Sequence, residues 1–337
     1  MEKTNNINPI KVSICISVHN TAKYLPRCLD SILAQTLKDI EIVLVNNGST
    51  DNSEDIMRDY ATKNPQVRFV VVVQEDKGLA QGRQSGINNA IGDYLAFLDA
   101  DDYVMPTAYQ ELYELAKSTN SDIAEMQSKR GDAVISAPFT GVVLSKDVLE
   151  AYFSASCHIP QMLWLRIYKK HLFNKSVLPD LYVNNEDNFA FPCLLMQSNQ
   201  VAYLKEPLHV YSTDNENAVM NQLGKPTKVH MEKFIDRKKM AIKSIPYVIN
   251  FFGSKRSEFK NFDAYVASNI VEFMAENLYY FGIDDKKKYL VKIFGVDNFD
   301  ILSEIVSKHL QPRNLLYKVV KIVGVEMACK IYCKIKY

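Results

Sequence analysis

The chain reads as an α/β protein, with an open, mostly parallel sheet and flanking helices followed by an all-helical C-terminal region. Three observations predict this. Between residues 10 and 105, short apolar β-branched runs alternate with helix-length stretches, the pattern of right-handed β-α-β crossovers. From about residue 227 onward the text is helical and almost without strand signal. The fourth apolar run stops at three carboxylates, Asp99, Asp101 and Asp102, at the end of the sheet where open α/β folds hold ligands.

The first strand is predicted over residues 11–18, followed by a turn at His19-Asn20-Thr21 and a helix over 24–35. Residues 41–45 are the second strand. The cluster Asn46-Asn47-Gly48-Ser49-Thr50-Asp51 makes a turn, and 53–62 is a helix with acids in its first turn. Residues 67–73 are an almost wholly β-branched strand, 79–90 a helix and 94–98 the fourth strand. The alternation then loosens. Helices are expected at 106–118, at 146–154 with Ser145 as cap, at 164–173 and at 189–197 after a polar stretch over 182–188. Extended pieces are expected at 122–126, 201–204 and 208–211, and the segment 213–225 reads as a boundary. Helices follow near 228–251, 255–281, 285–294, 298–310 and 314–336.

With 337 residues the chain is long enough for two domains, and its net charge of +1 argues against nucleic acid as a partner. Six cysteines are scattered at 15, 28, 157, 193, 329 and 333 without a CxxC pair, which fits a reduced, cytoplasmic compartment. Residues 1–10 lack the apolar core of a signal peptide. No apolar run approaches the roughly 18 residues that span a bilayer.

Carboxylates as close as Asp99, Asp101 and Asp102 repel one another and resist desolvation. A divalent cation would remove the conflict. Oxygen-only ligands suit Mg²⁺ or Mn²⁺, which takes one or two carboxylates together with substrate phosphates. The same residues also read as an acidic turn capping the helix that starts near Pro106. These seven residues, 96–102, do not separate the two readings.

Other stretches do. Ser13-Ile14-Cys15-Ile16-Ser17-Val18-His19-Asn20, Cys28 to Thr36, Val45-Asn46-Asn47-Gly48-Ser49-Thr50-Asp51-Asn52-Ser53, the block Gly78, Leu79, Arg83, Gly86, then Phe97 to Asp102 and Asn185-Glu186-Asp187-Asn188 follow in order. Together, through about Tyr211, they resemble the family 2 glycosyltransferases of GT-A fold. The resemblance implies residues 1–225 as the glycosyltransferase domain, with 10–105 its nucleotide-binding half and 106–225 its acceptor half. The helical region 226–337 is not covered by it.

The activity implied is inverting transfer of a sugar from a UDP-sugar to an acceptor hydroxyl, a saccharide or lipid-linked saccharide, in assembly of a bacterial surface polysaccharide or lipooligosaccharide. By the resemblance Asp101 is the metal ligand and Asp99 binds ribose or supports the metal, the cation being Mn²⁺ or Mg²⁺. Asp187 is the catalytic base and Glu186 orients the acceptor. Arg83 contacts the diphosphate side, while Ser17, His19 and Asn47 lie along the nucleotide. Each residue has a plainer reading as well: Asp187 as a first-turn acid, Arg83 as a surface arginine, His19 as a turn residue. Trp164, the only tryptophan, is either a sugar platform near the acceptor or a core residue.

This chain departs from the family pattern at several positions. Asn46-Asn47 stands where Asp-Asp is usual, and the second position normally hydrogen-bonds the base. Gly82-Arg83-Gln84 replaces Ala-Arg-Asn, and His209-Val210-Tyr211-Ser212-Thr213-Asp214 replaces Tyr-Tyr-Arg and its sequel. His209 and Asp214 are both candidates to complete the metal or diphosphate site. A nucleotide-sugar-binding protein without activity is the alternative that these changes keep open. A phosphotransferase using Asp99 and Asp101 is disfavoured, because its acid pair would follow the first strand and no P-loop pattern occurs. Residues 314–337 mix apolar residues with five lysines, and a helix there would suit contact with an anionic membrane at the inner face of the plasma membrane.

Overall fold

Val12–Val18 (β1) and Ile40–Asn47 (β2) are apolar along nearly their whole length, so both sheet faces must be covered. The computed structural model describes residues 9–154, 158–174, 177–178, 186–215, 245–263 and 265–266. In it, Leu25–Leu33 (α1), Ser53–Lys63 (α2) and Leu79–Asn89 (α3) cross between β1, β2, Arg68–Gln74 (β3) and Tyr94–Phe97 (β4). These four strands run parallel in the order β3-β2-β1-β4. Helix α1 buries Leu25, Cys28, Leu29 and Ile32, a 3–4 spacing that sets one apolar stripe against the sheet.

The sheet continues with Arg166–Lys169 (β9), Ile123–Arg130 (β6), Gln200–Val210 (β10) and Tyr103–Val104 (β5). Here the pairing is mixed: β4–β9, β9–β6 and β10–β5 are antiparallel, and β6–β10 is parallel. Ala133–Ile135 (β7) and Gly141–Leu144 (β8) add short antiparallel pairings to β6 and β10. Ala108–Ser118 (α4), Ser145–Ser154 (α5) and Asp187–Gln197 (α6) complete this part.

Two expectations are corrected. Residues 164–173 are not one helix: 3-10 turns at Leu163–Leu165 and Lys170–Phe173 bracket β9. Short apolar runs do not reveal their period, and the gap between β4 and β6 claims this one as a strand. The pieces at 201–204 and 208–211 are one strand, β10, whose register shifts around Pro207, a residue that cannot donate to a ladder.

The chain divides into two units, 1–148 with 159–224, and 149–158 with 225–337. In the second, Ile245–Phe252 (α7) is helical and followed by a 3-10 turn at Gly253–Glu258. Phe153, Phe252 and Phe262 pack ring to ring there, with centroids 5.1 Å apart for Phe153–Phe262 and 4.9 Å for Phe252–Phe262. The helices expected at 285–294, 298–310 and 314–336, and most of those at 228–251 and 255–281, lie outside the described residues.

Candidate active site

One arginine gathers two separate acidic stretches of sequence. Arg83, on α3 and only 3% exposed, donates to Asp99 Oδ1 at 2.9 Å, to Asp187 Oδ1 at 2.7 Å and to Glu186. Its guanidinium lies 5.8 Å from the centre of the Phe97 ring. Asp99 follows β4, and Glu186 and Asp187 open α6, so the cluster stands beyond the carboxyl end of β4. The backbone N–H of Leu163 also donates to Asp187, at 3.4 Å.

Among the described residues, one cation facing three carboxylates leaves excess negative charge in a largely buried cluster. Burial pushes the Glu186 carboxyl up to about 8, against the pull of Arg83 and with help from Asp187. Burial raises Asp187 too, again opposed by Arg83 and reinforced by Asp99. Glu186 is fully buried, while Asp187 keeps 18% exposure. Asp187 is therefore the member of the pair that a substrate can reach.

The acidic turn is braced separately. Asp102 is buried, accepts from the Ser212 N–H at 2.8 Å and lies 3.5 Å from His209 Nε2. Burial, then Asp99 and Asp101, push its carboxyl up to about 9. Asp101 is raised by burial first and by Asp99 second, and it accepts from Asn215 Nδ2 at 2.7 Å. Arg27 of α1 donates to the Asp101 carbonyl and to Ser212 Oγ, both at 2.8 Å, and grips both oxygens of Asp214.

Of the two further-ligand candidates, His209 is wholly buried. Its Nδ1 lies 2.8 Å from Ser128 Oγ, and burial pushes it down to about 3, so the ring is neutral. Asp214 is committed to Arg27. Trp164 is 4% exposed, and one face of its ring stacks on His209 at 4.1 Å. As a sugar platform it has no open face on that side.

Among the described residues no group of three or more His, Cys, Asp and Glu side chains is arranged as a ready metal site. The donor set at the turn nonetheless fits a hard cation. Asp99 and Asp101 offer only oxygens and repel each other, and burial and Asp99 raise the Asp101 carboxyl. Two carboxylates with substrate phosphates and water are what Mg²⁺ ordinarily takes.

The nucleotide-side candidates line the ends of β1 and β2. Ser17 is half-buried against α3, where a Cβ on Gly82 would come within 2.2 Å of Ser17 Oγ. The exposed ring of His19 donates from Nδ1 to the Asn47 carbonyl at 2.9 Å. The side chain of Asn46 accepts from the Ser49 N–H and donates to Glu54. Asn47 is buried, and its amide is tied into the loop after β3. Sequence reasoning passed over Arg27, which lies one residue before the matched stretch Cys28 to Thr36 with nothing to distinguish it. It also missed Arg166, buried against Glu125 at 2.6 Å and donating to the Met162 and Pro160 carbonyls on the approach to Leu163.

A mixed α/β sheet with flanking helices and acidic motifs beyond its strand ends has the architecture of a GT-A fold. The fold matches that of Staphylococcus aureus TarS residues 1–349, solved in complex with UDP-GlcNAc, with a TM-score of 0.65 at 16% identity over 95% of this chain and 89% of that one. Residues 13–135 match the profile of glycosyl transferase family 2. The uncharacterized glycosyltransferase EpsJ of Bacillus subtilis is 31% identical over 234 residues, 66% of this chain and 67% of EpsJ. Glycosyltransferase GlyA of Streptococcus pneumoniae is 30% identical over 214 residues, 60% of this chain but only 30% of GlyA. The chain belongs to family 2 of the glycosyltransferases. No described helix is long and apolar enough to cross a membrane.

Proposed function

We propose that the chain is a metal-dependent, inverting glycosyltransferase that moves a sugar from a UDP-sugar to an acceptor hydroxyl. The observation that carries this reading is the convergence of Asp99, Glu186 and Asp187 on buried Arg83. The UDP-GlcNAc complex of TarS supports a UDP-sugar as donor.

In this reading the acceptor oxygen attacks the anomeric carbon while the bond from that carbon to the diphosphate oxygen breaks. Asp187 takes the acceptor proton, and the nucleoside diphosphate leaves. The raised proton affinity of Asp187 suits it to the task, because a base works best with its pKa near the working pH. Glu186, fully buried against Arg83, holds the arginine side of the pair. Arg83, with so little exposure, acts by fixing the three acids in one geometry rather than by reaching the diphosphate. Asp101 and Asp99 would hold Mn²⁺ or Mg²⁺, and a bound divalent ion offsets the charge that develops on a departing diphosphate.

The acceptor is read as a saccharide or lipid-linked saccharide in surface polysaccharide assembly at the cytoplasmic side of the membrane, on the family resemblance. Membrane contact through residues 314–337, which lie outside the described residues, is tested by liposome flotation of the full chain against a truncation at Gln311. The transfer reading is tested by incubating the chain with a panel of UDP-sugars and Mn²⁺ and following UDP release. Release with at least one donor, abolished in Asp187→Asn, is expected. Binding of UDP-sugars without release would leave a nucleotide-sugar-binding protein instead.

A further inference from the structure

We propose that Arg27 is the positioning residue of the acidic turn. Its guanidinium fixes the main chain at Asp101 and seats the segment 212–215, whose own donors hold the Asp101 and Asp102 carboxylates. Asp214 then serves the site by holding Arg27, and not as a ligand of the cation. The proposal rests on the metal reading of Asp99 and Asp101.

The turn takes its path from α1. Arg27, Ser31 and Gln35 recur at a helical spacing with Cys28 beside them, so they share one side of α1 and of the turn that ends it. Each meets the chain between Asp99 and Met105. Cys28 Sγ donates to the Asp99 carbonyl at 3.7 Å, Arg27 Nη2 to the Asp101 carbonyl at 2.8 Å and Gln35 Nε2 to the Met105 carbonyl at 2.8 Å. Ser31 Oγ accepts from the Val104 N–H at 3.3 Å. These contacts all go to the main chain, so α1 sets the backbone of the turn and leaves its carboxylates to other donors. The Arg27 guanidinium also lies 5.2 Å from the centre of the Tyr103 ring.

Those donors come from the segment 212–215. The Ser212 N–H donates to Asp102 Oδ1 at 2.8 Å, and Asn215 Nδ2 donates to Asp101 Oδ2 at 2.7 Å. The segment follows β10 and has no regular structure of its own. Arg27 holds it at two residues. Nη2 donates to Ser212 Oγ at 2.8 Å, and Nη1 and Nη2 donate to the two Asp214 oxygens at 2.8 Å and 3.1 Å. Tyr24, at the start of α1, donates from its hydroxyl to the Asp214 carbonyl at 3.1 Å. One planar fork therefore touches both the backbone of the turn and the segment that grips its side chains. A lysine, with a single nitrogen, cannot make the same set of contacts.

Global stability does not account for this arrangement. The side chains of Arg27 and Asp214 are 38% and 53% exposed, and an exposed pair adds little to folding. What the cluster does determine is where two like-charged carboxylates stand. Asp99 and Asp101 repel each other, and a hard cation needs their oxygens at fixed positions. Groups hydrogen-bonded to metal ligands orient them, and losing such a group weakens metal binding by about 10–100-fold. Both oxygens of Asp214 go to Arg27, so its effect on the cation passes through that residue.

The test is titration of the full chain with Mn²⁺ alone, read by the paramagnetic resonance of the free ion, beside urea unfolding. The proteins are wild type, Arg27→Met, Arg27→Lys, Asp214→Asn and the double variant Arg27→Met with Asp214→Asn. Arg27→Met should weaken Mn²⁺ binding by about tenfold or more with the urea midpoint unchanged. Arg27→Lys should restore part of the loss. Asp214→Asn should weaken binding by itself and add nothing to Arg27→Met. Unchanged Mn²⁺ affinity in Arg27→Met overturns the proposal, as does a lowered urea midpoint in that variant, which would mark a structural role. A full additional loss in the double variant would make Asp214 a ligand in its own right and overturns it too. If wild type binds no Mn²⁺, the metal reading falls, and amide hydrogen exchange decides the positioning. The Ser212 amide should then exchange faster in Arg27→Met than in wild type, with β1 and β2 unchanged; an unchanged Ser212 rate overturns the proposal.

Discussion

Replacing Arg83 by methionine should expose how much the site depends on one buried cation. The change keeps most of the side-chain volume and removes the charge and all three ion pairs, to Asp99, Asp187 and Glu186. Two of these acids would then share a buried site with no counter-charge. Breaking a buried pair in this way costs about 3–5 kcal/mol. The cost has a pH dependence with a definite sign. In the folded wild type the Glu186 carboxyl is already raised to about 8, so its contribution to stability is fully present below the ordinary carboxylate range and is lost as pH rises through about 8. Without Arg83, which pulls the other way, Glu186 and Asp187 rise further and take up protons from neutral solution.

The penalty should therefore be largest near pH 9 and shrink toward pH 6, by at most about 1.4 kcal/mol per pH unit for each extra proton bound. Urea unfolding of wild type and Arg83→Met at both pH values measures it. Arg83→Lys, which keeps the charge but lacks the planar fork, should fall between the two. A penalty below about 1 kcal/mol at pH 9 would mean that the acids do not rely on Arg83. So would a penalty that does not change with pH.

Three further outcomes are expected. Asp187→Asn should lower kcat by roughly 10²–10⁴ with UDP affinity unchanged in calorimetry, and a parallel loss of both would move the base elsewhere. Asp101→Ala should abolish Mn²⁺ binding in a direct titration while leaving the urea midpoint unchanged or raised, because it relieves repulsion within the turn; transfer that persists in EDTA would refute the metal reading. For Asp122, burial alone would raise the carboxyl, but Asn199 and Lys169 outweigh it and hold it low. Its stabilisation is present above the ordinary aspartate pKa and lost as pH falls through the lowered one, so Asp122→Asn should flatten the acid limb of the stability profile, and an unchanged acid limb would show that the contact contributes nothing.

The strand-helix alternation of residues 10–105 was legible because each strand there is a run of β-branched or apolar residues closed by turn chemistry. Beyond it the text misled at 164–173. Leu163-Trp164-Leu165-Arg166-Ile167-Tyr168 has the composition of either element, and only the open edge of β4 makes part of it a strand. The acids of the site were visible as motifs, but their meeting on Arg83 was not. The contact joins residues 16, 103 and 104 positions apart, and no local pattern encodes such separations. For the same reason Arg27 and Arg166 carried no signal: each acts through carbonyls and acids brought near by the fold.

Departures from the family pattern look, in sequence, like losses. Their surroundings argue otherwise. Ser17 stands where the family usually has proline, and it lies against Gly82, where the family usually has alanine; a Cβ at 82 would collide with the Ser17 hydroxyl. Asn47 stands where an aspartate is usual, and its two hydrogens meet the Gly78 carbonyl and the Asp76 carboxylate, partners that an aspartate would repel. Ser212 lies in the stretch that replaces the family's Tyr-Tyr-Arg and its sequel, and the guanidinium of Arg27 arrives from α1 to within 2.8 Å of its hydroxyl. In each case the changed residue is matched by a neighbour whose size, polarity or charge suits it. At these three positions the departures are parts redistributed within the site rather than parts lost from it.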